Sequence, residues 1–180
     1  GDSAIFEYLG GKLVIHHGRQ YQVMTNSPPY DEQLALNAYW KTVGGEAMLP
    51  GTDRASDRFV RASFYTGAVK KTADPVDAVA AAFSIIRNAS VPLGMQPPPG
   101  QPNIASTLWR TVADQKNRVY FFESTRSPNV FWVNLADVDF APGAPVKKLK
   151  LANGTEIYAG NVAAKFETAQ PFVFKAADAK

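Results

Sequence analysis

The sequence predicts an α+β fold in which two packed sheets are covered by helices. Three observations carry that prediction. Residues 4–25 hold short apolar and aromatic runs divided by glycine turns, as strands do. Residues 31–88 carry apolar side chains at helical spacing, in segments separated by Gly and Pro. From Thr107 onward the strand pattern returns. Consecutive helices must bury their apolar faces on a sheet, so a helical block between two strand blocks points to helices lying over sheets.

Ala4 to Tyr8 reads as the first strand. Leu9-Gly10-Gly11-Lys12 is a hairpin signal, because paired glycines reach the positive φ of a tight turn. Leu13 to His17 is the return strand. Tyr21 to Thr25 is expected to be a third, completing a meander. Ser27-Pro28-Pro29-Tyr30 stops it, since Pro cannot donate to a ladder. Asp31 is the expected cap of a helix running to about Trp40, with Leu34 and Ala38 on its apolar stripe and Gly44-Gly45 at its end. Leu49-Pro50-Gly51-Thr52 is a turn. A second helix is expected over Ala55 to Val69, with Phe59 and Ala62 on one side. Asp74-Pro75 is an N-cap followed by a Pro at the first helical position, and Val76, Val79, Phe83 and Ile86 give that third helix its period.

Residues 91–106 contain five prolines and two glycines, and so read as a long loop. Thr107–Ala113, Arg118–Glu123 and Asn129–Leu135 are strands, the first two joined by a turn at Asp114–Asn117. Lys148 to Leu151 and Glu156 to Ala159 are expected to form a last hairpin around Asn153-Gly154. A late strand is expected near Phe172 to Phe174.

Composition narrows the function classes. The 180 residues are 46% hydrophobic and 19% charged, enough apolar material for a real core. No apolar run reaches the roughly 18 residues of a membrane helix, so no membrane association is expected. A net charge of +3 makes too weak a field to argue for nucleic acid or anionic lipid. Cysteine is absent, which excludes a disulfide scaffold, a thiolate metal site and a cysteine nucleophile within these residues. His16 and His17 are neighbours on a strand and point to opposite faces, so they cannot chelate one metal together. No G-x-S-x-G, no GxGxxG and no P-loop occurs, so no nucleotide cofactor is expected. Residue 1 is Gly and strand-like sequence follows at once, which suggests a chain starting inside structured material, a short scar before a complete domain being the alternative.

Two segments could carry chemistry. In Val23-Met24-Thr25-Asn26-Ser27-Pro28, an Asn stands at the end of an expected strand, before a proline-enforced turn. Its amide could donate to a developing oxyanion, or could simply close the turn. In Asp53-Arg54-Ala55-Ser56-Asp57-Arg58-Phe59-Val60-Arg61, two arginines lie in the first turn of a helix. Acids suit that position and arginines do not, so Arg58 wants a partner. That partner is an anion or thiolate on one reading, and Asp53 or Asp57 on the other.

In combination these segments resemble the choloylglycine hydrolase family, which contains penicillin V acylases and conjugated bile salt hydrolases. The resemblance rests on Val23 to Pro28 with Tyr30 and Asp31, on Leu49-Pro50-Gly51, and on Asp57-Arg58-Phe59-Val60-Arg61-Ala62-Ser63-Phe64. It continues through Ser90 to Gly94, Thr107 to Asp114 and Val119 to Ser124, covering most of residues 2–135.

The resemblance implies an N-terminal nucleophile hydrolase with an αββα sandwich, of which residues 1–180 form the C-terminal portion. It implies hydrolysis of a linear C–N amide in a small acylated substrate, through a thioester on an N-terminal Cys supplied by the other half of the enzyme. No cofactor and no metal are expected. Asn26 matches the oxyanion-hole Asn, and Arg58 matches the Arg beside the nucleophile, with Arg61 as the weaker alternative. Only eight residues separate Trp40 from Leu49. Gram-positive members carry a longer hairpin there, used in tetramer assembly. The short form resembles the Gram-negative branch and implies a periplasmic enzyme, with a homo-oligomer still open. Penicillin V, acyl-homoserine lactones and bile salts all stay open as substrates. The competing reading is a homologue without its nucleophile, acting as a binding or scaffold protein.

Overall fold

The computed structural model describes residues 2–45, 47–100, 106–151 and 156–176. Two compact units divide the chain, residues 1–107 and 108–180.

The first unit opens with a β-hairpin. β1 (Ala4–Leu9) pairs antiparallel with β2 (Lys12–His17), from Ala4 opposite His17 to Leu9 opposite Lys12. Gly10 and Gly11 form the two-residue turn at φ of +56° and +78°, a conformation that disfavours any side chain. Strand alternation sorts the side chains into two faces. Ile5, Glu7, Val14 and His16 are covered, while Phe6, Tyr8, Leu13 and Ile15 on the other face are exposed.

The covered face meets two helices, α1 (Tyr30–Val43) and α2 (Ala55–Ala68). Ile5, Tyr30 and Phe59 form the core, with Tyr21, Val23 and Leu34 packed against it. Asp31 is not the cap of α1. The helix starts one residue earlier, at Tyr30, and its N-cap, Pro29, offers no side-chain bond. Glu7 takes that place from β1: both its carboxylate oxygens lie 3.1 Å from the Tyr30 N–H. A carboxylate at a helix N-terminus also suits the dipole. Asp31 instead accepts from His16 Nε2 at 2.9 Å, a pairing between α1 and β2 that local sequence cannot show. At the other end, the N–H groups of Gly44 and Gly45 both donate to the Trp40 carbonyl.

The third strand expected at Tyr21–Thr25 does not form a ladder; the segment runs irregularly. Side chains and side-chain partners hold it instead. Tyr21 and Val23 pack on the core, and the Tyr30 hydroxyl donates to the Val23 carbonyl at 2.9 Å. α3 (Pro75–Asn88) follows the expectation: the Asp74 side chain accepts from the N–H groups of Val76 and Asp77, and Pro75 opens the helix. Phe83 is its buried residue, whereas Val76, expected on the apolar stripe, is exposed. In the proline-rich segment, Val91 is buried and exchanges bonds with Thr107; residues 101–105 lie outside those described.

The second unit is built on a meander of β3 (Trp109–Asp114), β4 (Val119–Ser124) and β5 (Val130–Asn134). Arg110 and Glu123 stand opposite each other on β3 and β4 and form a largely buried ion pair of 3.0 Å. Asn117 donates its backbone and side-chain N–H groups to Asp114 in the connecting turn, and these bonds hold the Asp114 carboxyl below its ordinary value.

The C-terminal stretch departs from expectation. β6 (Lys147–Lys148) pairs with β8 (Glu167–Thr168), and β7 (Gly160–Asn161) runs parallel beside β5. The hairpin expected around Asn153-Gly154 has its turn outside the described residues; of its first arm, Lys148 to Leu151, only Lys148 lies in a strand, and its partner is β8. No strand forms at Phe172–Phe174, whose side chains are exposed. Phe131, Val133 and Val162 are the core of this unit. Among the described residues no helix is long and apolar enough to cross a membrane.

Because Glu7 is what terminates α1, Glu7→Ala is expected to destabilise the full-length protein by about 1–2 kcal/mol. A urea titration should show a lower midpoint at unchanged slope.

Candidate functional site

The site residues are placed by the core just described. Phe59 is 2% exposed and fixes the rotation of α2 about its axis. Arg58, the residue before it, is thereby set on the flank of the helix and half buried. On the other side, Thr25 is docked on the start of α2, its hydroxyl 2.9 Å from the Ala55 carbonyl. Asn26 follows at a bend and is exposed, not at the end of a strand.

The two predicted residues meet. Arg58 Nη2 donates to Asn26 Oδ1 at 2.8 Å, although 32 positions separate them in sequence. Arg58 Nε donates to the Asp53 carbonyl at 3.0 Å. The bond to Asp53 is therefore to its backbone and not to its carboxylate. Asp57 is engaged elsewhere, accepting from the Thr52 and Ser56 hydroxyls. Among the described residues no carboxylate pairs with Arg58. No ion pair of the kind expected with Asp53 or Asp57 therefore forms, and the Asp53 carboxylate acts on the guanidinium through its charge alone. Burial, reinforced by the neighbouring Arg61 charge and opposed by Asp53, holds the guanidinium below the ordinary arginine value. An arginine so placed stays protonated and gains from any anion brought to it.

The Asn26 amide has a complementary arrangement. Its oxygen is taken by Arg58, and among the described residues its Nδ2 has no partner. What the side chain has left to offer is a donor. A donor amide beside a half-buried cation suits an acceptor that becomes negative during a reaction.

Arg61, one turn along α2, is committed to structure. Its Nη1 donates to the Pro50 and Thr52 carbonyls at 2.6 and 2.9 Å, and its Nε to the Asn88 carbonyl at 3.0 Å. It ties the Pro50–Thr52 turn and the end of α3 to α2.

Sequence reading missed Gln33. It is 1% exposed, on the same face of α1 as Tyr30 and Leu34. Its Oε1 accepts from the Thr25 hydroxyl and its Nε2 donates to the Pro28 carbonyl, both at 2.6 Å. A polar residue on an otherwise apolar helical stripe was the available signal. His16 and His17 do lie on opposite faces of the hairpin, bonded separately to Asp31 and Asp2. A cavity of about 450 Å³ in the second unit, lined by Tyr120, Val133, Leu135, Phe140 and Phe166 among others, holds neither predicted residue.

Comparison with known proteins bears on this arrangement. The profile of the linear amide C–N hydrolases, choloylglycine hydrolase family, matches residues 1–156. A penicillin V acylase of Pectobacterium atrosepticum is 56% identical over 191 aligned positions, covering 97% of this chain and 50% of that protein. The solved penicillin V acylase of Agrobacterium tumefaciens is 59% identical, with a TM-score of 0.89, over 98% of this chain and 56% of its own. A mutant of conjugated bile acid hydrolase from Clostridium perfringens is 20% identical with a TM-score of 0.61, over 77% of this chain and 48% of its own, a likeness of fold alone. The chain spans about half the length of the relatives it matches.

The bonding of Arg61 predicts a loss of stability rather than of chemistry. Arg61→Ala removes three bonds from a charged donor and is expected to cost about 2–3 kcal/mol. Thermal unfolding of the variant and the parent protein would measure it.

Proposed function

The chain belongs to the choloylglycine hydrolase family of linear amide C–N hydrolases, and from that premise we propose that Asn26 and Arg58 are catalytic groups of a penicillin V acylase. The fold is the α+β architecture of the N-terminal nucleophile hydrolases. The single observation that carries the reading is the 2.8 Å bond from Arg58 to the Asn26 oxygen, which leaves, among the described residues, one unpaired amide donor beside a cation without an ion-pair partner.

In this reading the nucleophile is a Cys at the N-terminus of the mature enzyme, in a part of the protein outside these residues. The exposed apolar face of the hairpin, with Phe6, Tyr8, Leu13 and Ile15, supports such a remainder, because a sheet face of that composition needs cover. The thiolate attacks the acyl carbonyl of the linear amide, and Asn26 Nδ2 donates to the oxyanion that forms. The amine leaves with a proton, and water then hydrolyses the thioester. Arg58 favours thiolate over thiol through its charge. The two penicillin V acylases at 56% and 59% identity support penicillin V as substrate over the bile salts of the 20% relative. The short connection between Trp40 and Leu49 supports a periplasmic enzyme of the Gram-negative branch.

The test is hydrolysis of penicillin V by the full-length protein, followed as release of the free amine. Asn26→Ala is expected to lower kcat by roughly 10²–10³ with little change in KM, because the carbonyl oxygen is nearly neutral until the transition state. A variant with wild-type kcat would make Asn26 a turn residue and no more.

Arg58→Ala should act on the pH profile as well as the rate. Loss of a cation disfavours the thiolate and raises the nucleophile's pKa. The acid limb of the kcat/KM profile should then move to higher pH, on the order of one unit. An unmoved limb would mean that the Arg58 charge does not reach the nucleophile.

A further inference from the structure

We propose that Gln33 is a positioning residue for Asn26, an inference that rests on the catalytic reading of Asn26 given above. Gln33 is a neutral amide in the core of the first unit, 1% exposed. Burying an unbonded amide is costly, and here both halves of it are matched. The Oε1 receives the Thr25 hydroxyl and the Nε2 reaches the Pro28 carbonyl. Those two partners bracket Asn26 and Ser27, so one side chain grips the loop on both sides of the residue that is to donate.

The grip is rigid for three reasons. Gln33 sits in the first turns of α1, a regular helix, next to the fully buried Tyr30. Its bond to the Pro28 carbonyl fixes the amide's orientation, since a flipped amide would set an oxygen against the Pro28 oxygen. The Thr25 hydroxyl also lies 2.9 Å from the Ala55 carbonyl, so the loop is held between α1 and the start of α2, where Arg58 stands. Without Gln33, Thr25 has the Ala55 carbonyl alone to bond and the Pro28 carbonyl is left unpaired. Asn26 then loses its fixed position relative to Arg58. Misplacement by about 1 Å from a change away from the chemistry can cost on the order of 10²-fold in rate.

A positioning role and a merely structural one make different predictions in a double-mutant cycle. The measurement is kcat and KM of the full-length protein on penicillin V for Gln33→Met, Asn26→Ala and the double variant. Gln33→Met should lower kcat about 10- to 100-fold with KM within about twofold. In the Asn26→Ala background the same change should lower kcat by less than about twofold, because the group it positions is gone. Wild-type kcat in Gln33→Met, or an equal loss in both backgrounds, would overturn the proposal while leaving the reading of Asn26 standing. Wild-type kcat in Asn26→Ala would overturn both.

Gln33→Glu asks the same question should Gln33→Met not fold. The ionised carboxylate can accept from Thr25 but sets an oxygen against the Pro28 carbonyl. Its protonated form regains a donor. The ratio of variant to wild-type kcat should therefore rise as pH falls through the titration of Glu at this position, which burial shifts upward. A ratio independent of pH would overturn the proposal.

Discussion

Burial of one tyrosine organises the first unit. Tyr30 is 1% exposed, and nearly every element of the unit touches it. Its ring meets Phe59 of α2 edge-on at 5.7 Å, and lies 4.8 and 5.7 Å from His16 of β2 and Tyr21. Its hydroxyl binds the Val23 carbonyl, and its N–H is held by Glu7 of β1. Burial, helped by Tyr21 and Glu7, pushes the phenol above its ordinary value, so it remains a donor to Val23. The hydrophobic area of the ring drives the assembly, and its polar ends fix the register of what assembles. Hairpin, irregular segment, α1 and α2 are thereby brought to one point, and Asn26 is carried to Arg58.

Two arginines three residues apart on α2 illustrate how context divides one chemistry into two roles. Arg61 faces the carbonyls of Pro50, Thr52 and Asn88, which absorb its donors and make it a brace between segments. Arg58 faces one carbonyl and one amide oxygen, neither of which carries a full charge. The charge of Arg61 also acts on Arg58 and contributes to holding its guanidinium below the ordinary value. Neighbouring like charges without a carboxylate partner concentrate a positive potential. Asp57 is occupied by hydroxyls, and Asp53 acts on Arg58 through its charge without an ion pair.

What the sequence determined by itself was local. The Gly10-Gly11 turn, the Asp74-Pro75 start of α3, the Gly44-Gly45 end of α1 and the β3–β4 turn were all legible, because each is set by the backbone preferences of a few adjacent residues. The motifs around Asn26 and Arg58 were legible too, as composition and order. Tertiary structure decided the rest. The segment 21–25 has strand-like residues but forms no ladder, because its groups are met by Tyr30 and Gln33 from another element. Asp31 looked like a cap and is a partner of His16, while Glu7, distant in sequence, does the capping. Lys147–Lys148 pair with a strand far beyond the expected hairpin. The partners of Arg58 turned on where Asp53 and Asp57 point, and those of Gln33 on which way one helix face turns. Bonds between residues far apart in sequence depend on packing directions that only the assembled core fixes, and no local preference encodes them.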